Sequence, residues 1–90
     1  MKLLIIYRPN SEHGRAVESF VRDYTQHHDD NNLQVLNIDS REGWATASLY
    51  DVMQYPAIIV TREDGSIVKD WEGSELPQLD EVAGYVLSPA

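Results

Sequence analysis

The sequence predicts an α/β fold, a four-stranded mixed sheet covered by three helices in the order β-α-β-α-β-β-α. Three observations lead there. Lys2–Tyr7, Leu33–Ile38 and Ala57–Thr61 are short runs rich in β-branched and other apolar residues, each of strand length. Between the first two lies a stretch with helical apolar spacing, which requires a right-handed crossover between parallel strands. The pair Asp64-Gly65 separates Ala57–Thr61 from Ile67–Trp71 and is the strongest short signal for an antiparallel hairpin.

Each element follows from local chemistry. Lys2–Tyr7 is apolar on both faces, as a strand covered on two sides must be. Arg8-Pro9-Asn10-Ser11 breaks it, since proline lacks a donor, and Asn10 or Ser11 suits a helix cap. Ala16, Val17, Phe20, Val21 and Tyr24 then recur at helical spacing, with Arg15, Glu18, Arg22 and Asp23 largely opposite, giving a helix over Glu12–His27. The polar run His27-His28-Asp29-Asp30-Asn31-Asn32 ends it. Leu33–Ile38 is the second strand and Asp39-Ser40 a turn and cap. A helix of poor periodicity follows over Glu42–Tyr50. Ala57–Thr61 and Ile67–Trp71 form the hairpin, and Glu72-Gly73 ends it. Pro77 suits the first turn of a last helix whose stripe is Leu79, Val82, Ala83, Val86 and Leu87, stopped by Ser88-Pro89-Ala90.

Ninety residues make one domain, spanning 1–90, with a single modest core. The net charge of −8, from 15 acids against 7 bases, repels phosphate backbones and anionic lipid. It argues against nucleic-acid and membrane-surface partners. No run approaches the roughly 18 apolar residues of a membrane span. The N-terminus lacks the features of a signal peptide, so a cytoplasmic address is expected. There is no cysteine, which removes disulfides, thiolate metal sites and sulfur nucleophiles.

The element order and several local stretches resemble the thioredoxin-like superfamily. Ala47-Ser48-Leu49-Tyr50-Asp51-Val52-Met53-Gln54-Tyr55-Pro56-Ala57-Ile58-Ile59-Val60 is similar to the family's helix end, loop, proline and strand. Asp64-Gly65-Ser66-Ile67-Val68 and Trp71-Glu72-Gly73 resemble its hairpin and the glycine before its last helix. Ile38-Asp39 matches the usual end of its second strand. The resemblance covers essentially the whole chain, which is closer in size to glutaredoxins. It implies that the bond before Pro56 is cis, a minority state for X–Pro bonds. Asp51 stands where the family often has glycine, and aspartate tolerates the left-handed backbone expected there.

One departure decides the chemistry. The family carries Cys-x-x-Cys at the start of the first helix, where the helix N-terminus stabilises a thiolate. Aligned on the strand end, Tyr7-Arg8-Pro9-Asn10-Ser11-Glu12-His13-Gly14 puts Ser11 at the first cysteine position and Gly14 at the second. Disulfide exchange needs an attacking thiolate, so this chain is not a thiol–disulfide oxidoreductase. Ser11 and His13 are close in sequence, but a serine nucleophile also needs a group orienting its base, and nothing marks Glu12 or Asp39 for that role. The chain is therefore not expected to be an enzyme, and no cofactor is called for. His27-His28-Asp29-Asp30 reads as a helix end, not a metal site. Trp44 and Trp71 are left open between core residues and contact anchors.

The family resemblance implies what remains. In relatives, the main chain before the cis-proline pairs with an extended peptide, and that pairing needs no cysteine. The reading is a redox-inactive module binding a protein or peptide, as adaptor or chaperone-like factor. Its site residues are Tyr7, Arg8, Ser11, His13, Tyr55 and Pro56. The alternative is a protein handling glutathione or another small thiol through Ser11, as a serine does in some glutathione transferases. A third is an oligomeric role for an edge strand, Leu33–Ile38 or Ile67–Trp71. Oligomeric state is not readable from the residues.

Overall fold

The computed structural model describes residues 1–28, 32–73 and 75–86. It contains β1 (Lys2–Tyr7), α1 (Gly14–His27), β2 (Leu33–Asn37), α2 (Arg41–Leu49), β3 (Ala57–Thr61), β4 (Ile67–Glu72) and α3 (Leu79–Val86). The strands form one sheet in the order β2-β1-β3-β4. β1 pairs with β2 in parallel and with β3 antiparallel, and β3 pairs antiparallel with β4. The expected α/β order and mixed sheet are therefore those of the structure.

β1 and β3 are the central strands, and every residue of both except Lys2 is buried. Because successive side chains alternate across a sheet, the two strands feed two cores. Leu3, Ile5 and Tyr7 with Ile58 and Val60 pack against Val17, Phe20 and Tyr24 of α1 and Val82 and Ala83 of α3. Leu4 and Ile6 with Ala57 and Ile59 pack against Leu36, Ile38 and Ala47 on the other face. Fully burying each such large side chain contributes about 1.5–3 kcal/mol, so the central strands carry most of the apolar stabilisation.

The helices differ from the sequence reading mainly at their starts. α1 begins at Gly14, two residues later than expected, because residues 9–13 form turns. Ala16 lies outside the buried stripe, which runs Gly14, Val17, Phe20, Tyr24. α2 buries only Gly43 and Ala47. That explains its weak periodicity: small residues let the helix lie close to the sheet and leave its large ones outside. A Cβ at Gly43 would sit 1.9 Å from the Asn37 carbonyl oxygen. Ser40 caps α2, its hydroxyl accepting the Gly43 N–H at 3.0 Å. α3 starts after Gln78, whose carbonyl accepts from Glu81 and Val82, so Pro77 precedes the helix instead of opening it. The expectations for Asp29, Asp30, Asn31 and Leu87–Ala90 lie outside the described residues.

The hairpin turns at Gly65, with φ of 90°. The Asp64 carboxylate accepts the Ser66 N–H at 3.0 Å and its hydroxyl at 2.7 Å, and these bonds hold its pKa below the usual range. Among the described residues no helix is long and apolar enough to cross a membrane.

Candidate functional site

The sheet pairing brings three chain segments to one end. β1 runs out at Tyr7 and β3 begins beside it, Ile6 opposite Ala57. β2, parallel to β1, ends there too, the Ile38 N–H donating to the Tyr7 carbonyl at 3.0 Å. The loop after β1, the loop before β3 and Asp39 therefore share one rim.

The first loop is closed on itself. The Arg8 N–H donates to His13 Nε2 at 3.2 Å. The Ser11 hydroxyl donates back to the Arg8 carbonyl, and the Gly14 N–H donates to the Ser11 carbonyl at 3.1 Å. Ser11 thus does not cap α1. The cap position falls to His13, which has helical backbone angles and makes no side-chain cap bond. A Cβ at Gly14 would meet the Pro9 carbonyl oxygen at 2.1 Å. That close approach fixes glycine where the redox motif would need its second cysteine.

Around this loop, the Arg8 guanidinium forks onto Asp39, Nε to Oδ2 and Nη2 to Oδ1, each at 3.2 Å. Both side chains are more than half exposed, so the pair stabilises by no more than about 1 kcal/mol and chiefly fixes where Arg8 points. The Tyr7 hydroxyl donates to Glu18 at 3.1 Å. Burial, then that carboxylate, pushes the Tyr7 pKa up. The rings of Tyr7 and His13 are 6.5 Å apart. Tyr7, Arg8, Ser11 and His13 therefore form one cluster, with Ser11 and His13 bonded to Arg8's backbone and not to each other. Among the described residues no acid is hydrogen-bonded to His13.

The second loop is held from outside. Its first residues turn through Asp51, which has φ of 55°, and the Val52 N–H donates to the Ala47 carbonyl at 2.9 Å. Glu72 Oε1, from β4, accepts the N–H groups of Met53 at 2.6 Å and Gln54 at 3.3 Å. The Tyr55–Pro56 bond is cis, Pro56 is buried, and its carbonyl accepts the Gly73 N–H at 3.1 Å. Tyr55 between them is half-buried, and its N–H and carbonyl have no hydrogen-bond partner among the described residues. A shallow groove lined by Trp44, Ala47, Asp51, Val52, Met53 and Tyr55 lies alongside. Trp44 is 64% and Met53 81% exposed.

The two tryptophans thus divide. Trp71 packs edge-on against Tyr85 at 5.6 Å and belongs to the core, while Trp44 stands at the groove. Met53, Glu72 and the Arg8–Asp39 pairing went unassigned in the sequence reading. His28 lies against the Tyr24 ring at 4.9 Å. Among the described residues no three histidines or acids are placed to hold a metal ion.

A β-α-β-α-β-β-α chain with a cis-proline loop beside the start of its first helix has the thioredoxin fold. The structure resembles thioredoxin 1 from the thermophilic eubacterium Thermosipho africanus TCF52B, with a TM-score of 0.69 over 96% of this chain and 90% of that one. Identity is 13%, a likeness of fold and not of sequence. No family model and no curated protein sequence matches the chain. The absence of cysteine separates it from the chemistry of the redox-active fold members.

Proposed function

We propose that this rim is the peptide-binding face of a redox-inactive thioredoxin-fold module, an adaptor or chaperone-like factor. The observation that carries the reading is Tyr55, a half-buried residue whose donor and acceptor have no partner among the described residues. Such groups are satisfied by a strand laid alongside, through main-chain bonds that ask for no particular side chain. Trp44 and Met53 supply adaptable apolar contact beside that strand, and Arg8 and His13 polar selectivity at its far side. The small-thiol alternative is less well supported, because the Ser11 hydroxyl proton is directed at the Arg8 carbonyl and away from any ligand.

The test is selection of short extended peptides from a displayed library, followed by titration into isotope-labelled protein. Enriched peptides are expected to shift the Tyr55 amide, and Tyr55→Asp to weaken them at least about tenfold. Enrichment that leaves Tyr55 unshifted and indifferent to substitution overturns the proposal. Glutathione titration serves as the parallel arm, and shifts at Ser11 alone would favour the small-thiol reading.

A further inference from the structure

At the end of the sheet opposite the rim, the α2 face opens into a second cleft. Side-chain alternation carries the face of Leu4, Ile59 and Leu36 on to Lys2, Thr61 and Gln34. Those three residues and Leu4 line the cleft from the sheet. Thr46 of α2 and Tyr50 just after it line the other side, and Arg62 and Glu63 of the hairpin complete it. The Tyr50 hydroxyl donates to the Gly65 carbonyl at 3.2 Å, which ties the end of α2 to the hairpin. The cleft holds about 190 Å³, and an adjoining hollow of about 270 Å³ shares Lys2, Leu4 and Gln34 with it.

Thr61 is the residue that asks for a ligand. It is only 2% exposed, and its hydroxyl has no hydrogen-bond partner among the described residues. Yet no fully enclosed side-chain polar atom there lacks one. The hydroxyl is therefore the part of Thr61 that reaches the cleft. Valine would fill the same space with no polar group to satisfy, so a threonine here is costly unless something meets it. The β-bulge between Val60 and Thr61 falls at the same point, and bulges are frequent where a side chain is aimed into a site.

Charge decides the occupant. The chain carries 15 acids against 7 bases, but the cleft reverses that ratio, with Lys2 and Arg62 against Glu63. Among the described residues neither cation is in an ion pair, the one pair being Arg8–Asp39. The Gln34 side-chain N–H donates to Glu42, and its carbonyl oxygen has no partner among the described residues. We infer that the cleft binds a small organic anion, a carboxylate or phosphate ester bearing hydroxyl groups. Lys2 and Arg62 hold the anionic group by charge-assisted bonds, and Thr46, Thr61 and the Gln34 carbonyl meet the hydroxyls. Ligand pockets usually run about 300–1,000 Å³, so the occupant is small and its binding weak. The site is independent of the peptide-binding reading, because cleft and rim lie at opposite ends of β1.

The test is amide NMR of the isotope-labelled full chain titrated with malate, glycerol 3-phosphate, glycerol and inorganic phosphate, each to about 10 mM. Malate or glycerol 3-phosphate is expected to shift the Thr46, Thr61 and Arg62 amides saturably, with Tyr55 unmoved and glycerol without effect. The tighter of the two tells a carboxylate ligand from a phosphate ester. Lys2 and Arg62 are exposed, so the double variant Lys2→Gln/Arg62→Gln should fold, and it is expected to weaken binding at least about tenfold. Thr61→Val is expected to weaken it about threefold, whereas a merely structural threonine would leave it unchanged. Inorganic phosphate binding as tightly as both organic probes means an adventitious ion only and overturns the inference. Shifts that do not saturate, or that ignore the double charge variant, overturn it as well. The charge variant decides the matter even if Thr61→Val fails to fold.

Discussion

The Arg8–Gly14 loop and the Tyr50–Pro56 loop flank the same end of the sheet but commit their polar groups in opposite ways. In the first, Arg8 N–H meets His13, Arg8 C=O meets Ser11, Ser11 C=O meets Gly14, and the Arg8 side chain meets Asp39. In the second, Glu72 takes the N–H groups of Met53 and Gln54, and Tyr55, the next residue, has no main-chain partner among the described residues. Redox members of this fold need both loops, one for the nucleophile and one for the substrate chain. Here the first loop's polar groups are turned inward, while Tyr55 in the second has no hydrogen-bond partner among the described residues. Two loops at one end of a sheet can thus differ widely in how far their polar groups are satisfied from within.

The largest expected effect comes from placing cysteines at the positions of the redox motif in the first loop. Gly14→Cys places a Cβ against the Pro9 carbonyl and is expected to cost about 2–4 kcal/mol, read as a lowered denaturant midpoint. Ser11→Cys alone is expected to cost less than about 1 kcal/mol, and the double variant to keep two titratable thiols. A double variant as stable as the parent, with an oxidised pair, would mean that the loop is not closed as described.

A smaller effect tests the second loop. Glu72→Ala removes the acceptor for two main-chain donors and is expected to cost about 1–2 kcal/mol. Hydrogen exchange at Met53 and Gln54 should accelerate more than anywhere in residues 8–14. Uniform acceleration would erase the contrast between the loops.

The smallest effect is visible only in alkali. Burial and Glu18 raise the Tyr7 pKa in the folded state above the value near 10 of an unfolded tyrosine. Its contribution is therefore complete below about pH 10 and is lost as pH climbs through the folded value, where only the unfolded chain has released the proton. Tyr7→Phe is expected to flatten that alkaline limb of a stability–pH curve.

How much of this was legible in the residues follows from the range of each interaction. Strands and helix identities were readable because burial imposes periods of two and 3.6 on the nearest neighbours in sequence. The hairpin was readable from Asp64-Gly65 alone. Ser11 differs from expectation, since a serine ahead of a helix ordinarily caps it, whereas here its hydroxyl donates to the Arg8 carbonyl and α1 starts three residues later. Trp44 could not be placed because α2 buries only glycine and alanine, so no apolar stripe marks its outer side. Glu72 and Asp39 meet their partners across 18 to 31 residues of chain, and no local pattern announces such pairs.

The burial of β1 and β3 on both faces has a consequence for the kinetics of recognition. Each loop of the rim is rooted in one of these strands, and deeply buried strands are the segments that open least readily. On the peptide-binding proposal, a ligand arriving there would meet loops anchored in the buried core. The ordering entropy then falls almost wholly on the incoming strand, and affinity differences among ligands should show in how fast they leave.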